Sequence, residues 1–132
     1  MYYSLLSSET DTHPTPSEDL TWEQFCELFK NHSIQSTKSG RAYIPARTVS
    51  RRDSDIRQLE AAVFDLEGEN HTQLSDEAMR GVCERLQGLD SVLHTTYSGH
   101  GHYRLILRLS SPVPVERWAT FWRGVVDAYQ LP

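Results

Sequence analysis

The stretch Leu59–Gly68, LEAAVFDLEG, decides how the rest of the chain is read, because an apolar run that ends in two carboxylates is hard to explain by packing alone. Ala61, Ala62, Val63 and Phe64 are too few for an ordinary helix and are closed off by Gly68. They are expected to form a buried strand. Side chains alternate along a strand, so Asp65 and Glu67 are expected to project to one side at its carboxyl end, with Leu66 turned the other way. Two carboxylates this close repel, unless a hard divalent cation such as Mg²⁺ or Mn²⁺ sits between them. The alternative is a pair of solvated acids at a strand-to-loop exit, beside Glu69.

Length and composition set the frame. A chain of 132 residues is one domain at most, large enough to bury a core if sheet and helices pack in layers. Its 38% hydrophobic and 23% charged residues are ordinary for a globular protein. The formal net charge of −5 argues against coating of nucleic acid by bulk electrostatics, but leaves room for a local basic groove. Cys26 and Cys83 are both expected on apolar helix faces as buried free thiols, hence a reducing interior and no disulfide or thiolate zinc site. No apolar run is long enough to span a bilayer and the amino terminus lacks a signal core, so no membrane partner and a cytoplasmic location are expected.

Outward from the central strand, Tyr2–Leu6 is expected to add a strand, followed by a polar connector over Ser7–Asp19. Thr21 and Gln24 have capping-box spacing, and Trp22, Phe25, Cys26 and Phe29 then recur at helical period. They predict a helix from about Trp22 to Asn31. Residues 33–57 lose that pattern, apart from a brief strand at Ala42–Ile44. This irregular region is basic: Lys38, Arg41, Arg47, Arg51, Arg52 and Arg57 are opposed only by Asp53 and Asp55. It reads either as a solvated surface loop or as a surface for nucleic-acid phosphates, with Lys38, Arg41, Arg47, Arg51 and Arg52 as the contacts.

After the central strand and a loop over Glu69–Gln73, Ser75 is expected to cap a helix with the apolar stripe Ala78, Met79, Val82, Cys83, Leu86 and Leu89. Val92–Tyr97 and Tyr103–Leu109 predict a hairpin joined by the tight segment SGHGH. Pro112 and Pro114 are expected to end its second strand. A last helix follows, with Val115, Trp118, Trp122, Val125, Val126 and Tyr129 on its buried side. The order predicts an α+β fold, a mostly antiparallel sheet covered by helices, whose core over residues 58–132 is like an RNA-recognition motif.

The segment Ser98-Gly99-His100-Gly101-His102, with Arg104 beyond, is the second place rich in chemistry. Glycines let backbone amides approach an anion, while a hydroxyl, imidazoles and a guanidinium donate hydrogen bonds, a set suited to phosphate oxygens. The plain alternative is a glycine turn with histidines pointing into water. It is not a nucleotide P-loop, because no Lys-Ser/Thr follows and no helix starts there.

Together, Asp65-Leu66-Glu67 after an apolar strand and Ser98-Gly99-His100 on a following hairpin resemble the archaeo-eukaryotic primase superfamily. That superfamily carries an Asp-x-Asp or Asp-x-Glu pair and then a Ser-x-His. The run HTTYSGHGHYRLILRLSSPVPVERW looks like the variant in replication proteins of mobile elements, and the likeness spans most of the chain. The resemblance implies a DNA primase–polymerase core in which Asp65 and Glu67 bind Mg²⁺ or Mn²⁺ and Ser98 and His100 hold a nucleoside triphosphate. Arg104 and His102 are added from their position. It also implies a single-stranded DNA template and a helicase domain or subunit as partners. The superfamily pattern has a third acid on a strand after the last helix, whereas this sequence ends at Leu131-Pro132. The expectation is therefore a truncated core, an inactive nucleic-acid-binding relic, or an acid elsewhere standing in. A rolling-circle or relaxase endonuclease is the competing enzyme class, with His100 and His102 as metal ligands and Tyr129 as nucleophile.

Overall fold

The structure is a computed structural model that describes residues 1–8, 10–30 and 42–132. Its elements are β1 (Ser4–Leu6), β2 (Thr15–Pro16), α1 (Trp22–Glu27), β3 (Ala42–Ile44), β4 (Gln58–Leu66), α2 (Asp76–Arg85), β5 (Ser91–Thr96), β6 (Gly99–Pro114) and α3 (Val115–Tyr129). The fold is α+β, with two antiparallel three-stranded sheets of order β2-β1-β3 and β4-β6-β5. The chain divides into two compact units, one formed by Met1–Ala61 with Leu109–Val115 and the other by Ala62–Arg108 with Glu116–Pro132.

In the first unit β1 pairs antiparallel with both neighbours, Ser4 lying opposite Pro16 on one side and Ile44 on the other. The polar connector expected after β1 therefore contributes a strand of its own. Buried Ser4 is satisfied twice, its hydroxyl donating to the Ala46 carbonyl and accepting from the Thr48 amide. The capping box forms as expected, Thr21 Oγ1 accepting from the Gln24 amide and the Gln24 side chain accepting from the Thr21 amide. The helix it starts is shorter than expected. After Glu27 the backbone tightens into turns with Phe29 N–H on the Cys26 carbonyl and Lys30 N–H on the Glu27 carbonyl. Phe25 is the hub of this core, within 5.2–6.0 Å of the Tyr3, Trp22 and Phe29 rings by centroid.

The second unit holds the strand–helix–strand–strand–helix succession. Both faces of β6 are covered at Leu105, Ile106 and Leu107, as suits the middle strand of three. Phe64 and Leu66 of β4 are buried with Asp65 exposed between them, which is the expected alternation. Ser75 caps α2 through the Ala78 amide, and Met79, Val82 and Leu86 fill the core.

Several expectations need correcting. Pro114 is the last residue of β6 and α3 starts directly after it, as expected, whereas Pro112 lies inside the strand, because β5 leaves off at the Ser91–Leu107 pair. Beyond that pair β6 has an edge on the β5 side, where a residue without an N–H costs no ladder bond. The apolar stripe of α2 is narrower than predicted, with Ala78, Cys83 and Leu89 exposed. None of the α3 side chains is fully buried; Trp122 stacks on Phe64 at 5.8 Å yet stays 39% exposed. Cys26 is half-buried and Cys83 exposed, so neither is a core residue. Among the described residues no helix is long and apolar enough to cross a membrane.

Candidate functional site

The site is built where β4 ends and β6 begins. The two-residue turn of the β5–β6 hairpin is Tyr97-Ser98, with Thr96 opposite Gly99. The next pair is Thr95 opposite Tyr103, so His100, Gly101 and His102 are three extra residues looped out of the ladder as a bulge. The histidines thus belong to the strand and not to the turn, contrary to the sequence expectation. Gly101 is required here: its φ is +85°, and a Cβ would fall 2.6 Å from Gln73 Cβ. Its carbonyl accepts the Leu74 N–H at 2.7 Å, docking the bulge on the segment before α2.

Opposite the bulge, Arg104 grips Asp65 with both arms of its fork, Nε donating to Oδ1 at 2.7 Å and Nη2 to Oδ2 at 3.2 Å. Glu67, just past β4, is held by two imidazoles, Nδ1 of His71 on Oε1 and Nδ1 of His102 on Oε2 at 3.1 Å. An ionised carboxylate only accepts, so both rings carry a proton on Nδ1 in these bonds. The same two bonds lower the Glu67 pKa from its ordinary 4.5, the His71 bond first and the His102 bond second. His100 turns to a different acid, its Nε2 lying 2.9 Å from Asp76 Oδ1 in the first turn of α2.

Sequence reasoning missed His71 and Asp76. His71 reaches Glu67 through a tight loop in which Gly68 N–H bonds the Thr72 carbonyl and Thr72 N–H bonds the Glu69 carbonyl. Asn70 and His71 both sit at positive φ, 54° and 61°. That conformation costs a non-glycine residue about 1–2 kcal/mol, and such strain gathers where a side chain must be aimed. A Glu-x₃-His spacing within a glycine-started loop was the available signal. Asp76, directly after the Ser75 cap, carries no sequence signal beyond that of a first-turn helix acid.

The predicted residues divide into groups. Asp65, Glu67, His102 and Arg104 are brought together by direct bonds, His100 is drawn to Asp76, and exposed Ser98 occupies the hairpin turn. Because His100 and His102 engage different carboxylates, they do not form one ligand pair in this arrangement. Arg47, Arg51 and Arg52 belong to the other compact unit. There Arg47 stacks on Tyr2 at 5.0 Å, Arg51 donates to the Asp11 carbonyl at 3.0 Å, and Arg51, Arg52, His13 and Asp55 line a recess of about 510 Å³. Lys38 and Arg41 lie outside the described residues.

The donor chemistry of Asp65 and Glu67 suits a hard cation, since both are carboxylates at a solvent-accessible strand end. Each of their four oxygens already has a nitrogen partner, so a cation would have to take the place of one or more of those partners. Among the described residues no three or more His, Cys, Asp or Glu side chains are arranged to hold a metal ion. In comparisons with protein-family models, curated proteins and solved structures, nothing matches the chain.

Proposed function

We propose that the chain is a nucleotidyltransferase domain of the primase–polymerase type, acting on NTP or dNTP over a single-stranded template in replication of a plasmid, phage or integrated element. The observation that carries the reading is the bonding of the strand-end acids Asp65 and Glu67 to Arg104 and His102 of the bulged hairpin. Acids and phosphate-donor groups on one site are what a metal-dependent phosphoryl transfer needs.

In this proposal Asp65 and Glu67 hold Mg²⁺ or Mn²⁺. The cation would neutralise charge on the reacting phosphate oxygens. Ser98, His100, His102 and Arg104 donate to the triphosphate, and Arg47, Arg51 and Arg52, with Lys38 and Arg41, take template phosphates. A helicase domain or subunit as partner and a cytoplasmic setting belong to the same proposal.

The test is a Mn²⁺-dependent primer-synthesis assay on single-stranded DNA. The wild type is expected to make product, with Asp65→Ala and Glu67→Ala each reduced about 100-fold or more. No product, together with single-stranded DNA binding that weakens steeply with salt and is unchanged in both variants, would leave a binding module instead.

A further inference from the structure

We infer that Arg104 is an exchangeable partner of Asp65, so that the site takes a divalent cation and a triphosphate as one mutually neutralising unit and takes either alone poorly. The inference rests on the nucleotide-binding reading above and says in what form the ligand binds.

As it stands the site is charge-compensated. Asp65 is satisfied by the Arg104 fork, and Glu67 by the imidazoles of His71 and His102. A cation arriving alone must displace the Arg104 guanidinium from Asp65 and then sit beside that displaced positive charge. A triphosphate arriving alone can draw Arg104 away only by leaving the Asp65 carboxylate bare next to an anion. Each ligand alone therefore creates a like-charge contact. Arriving together, the cation replaces the guanidinium on Asp65, and the freed fork meets a phosphate, whose paired oxygens it matches as well as a carboxylate's.

The pair is placed for such an exchange. The Asp65 side chain is 57% exposed and that of Arg104 36%, so solvent screens the bond and opening it costs little. Arg104 also sits two residues beyond the bulge, on the stretch that carries the other donors of the site. At Glu67 the same exchange is available to His102, which already lies on the hairpin, whereas His71 comes from a separate strained loop.

Calorimetry on the full chain tests this with Mn²⁺ alone, dATP alone in the presence of chelator, and Mn²⁺ with dATP. The proteins are wild type, Arg104→Gln, Arg104→Lys, and Arg104→Gln combined with Asp65→Asn, each first shown by thermal unfolding to be folded. Arg104→Gln is expected to bind Mn²⁺ alone about fivefold more tightly than wild type, the equivalent of one exposed ion pair. The added Asp65→Asn change should abolish that gain, and Arg104→Gln should bind Mn²⁺ with dATP more weakly than wild type. Arg104→Lys keeps the charge and should leave Mn²⁺ binding as in wild type while losing part of the dATP affinity. Wild type that binds Mn²⁺ with dATP, beside an Arg104→Gln protein with unchanged Mn²⁺ affinity, overturns the exchange and leaves the nucleotide reading standing. Wild type that binds no dATP under any condition overturns both.

Discussion

Arg104 and Asp65, 39 residues apart in sequence, are joined by a two-pronged ion pair that ties the start of β6 to the end of β4. The pair holds two chemically loaded stretches together without burying either. Its energetic share of the fold is therefore expected to be small. In a double-mutant cycle of Asp65→Asn and Arg104→Gln followed by urea unfolding, the coupling energy should be no more than about 1 kcal/mol. A coupling several times larger would mean a structural strut and not an exchangeable partner.

Glu67 offers a pH signature. Its pKa lies below the ordinary 4.5 because His71 and His102 donate to the ionised form. A carboxylate depressed in this way adds stability that is present above its unfolded pKa and lost as pH falls through the folded one. Carboxyl-carbon NMR should show Glu67 titrating below an ordinary glutamate, and His71→Asn should move it upward more than His102→Asn. The stability difference between wild type and Glu67→Gln should shrink as acid is added below pH about 4.5.

The bulge depends on glycine at one position more than at the other. Gly101→Ala meets both a left-handed backbone and Gln73 Cβ at 2.6 Å, whereas Gly99→Ala meets only the backbone restriction, with nothing within 4 Å. Thermal unfolding should report a loss of about 1 kcal/mol for Gly99→Ala and about 2 kcal/mol or more for Gly101→Ala.

The two thiols should differ in reactivity. Cys83 is exposed on α2 and Cys26 only half-exposed on α1. In the native protein a thiol reagent should label Cys83 first, and equal rates would contradict the assigned helix faces.

These particulars show where the sequence was legible. The alternation through Phe64, Asp65 and Leu66, the capping box at Thr21 and the Ser75 cap follow from local rules, and they appear as read. The three-residue bulge was not legible, because looping out His100–His102 depends on docking against Gln73 and Leu74, which no local pattern reveals. Pro114 closes β6 as read, but Pro112 misled for a related reason: proline ends a strand only where its missing N–H is needed, and that depends on where β5 stops. The partners of the site were half legible. Asp65, Glu67, His102 and Arg104 could be nominated from spacing, whereas His71 and Asp76 join through a strained loop and a helix start whose direction only the fold sets. The cysteines erred because helical period names a face without saying how wide the buried part of it is.

Paramagnetic broadening by trace Mn²⁺ in the presence of dATP measures directly whether Asp65, Glu67 and the bulged hairpin share one ligand. The NMR signals of Asp65, Glu67, His102 and Arg104 should broaden first and together, and chelator should restore them. Broadening confined to other parts of the chain, or none at these four residues while nucleotide is present, would contradict a shared ligand.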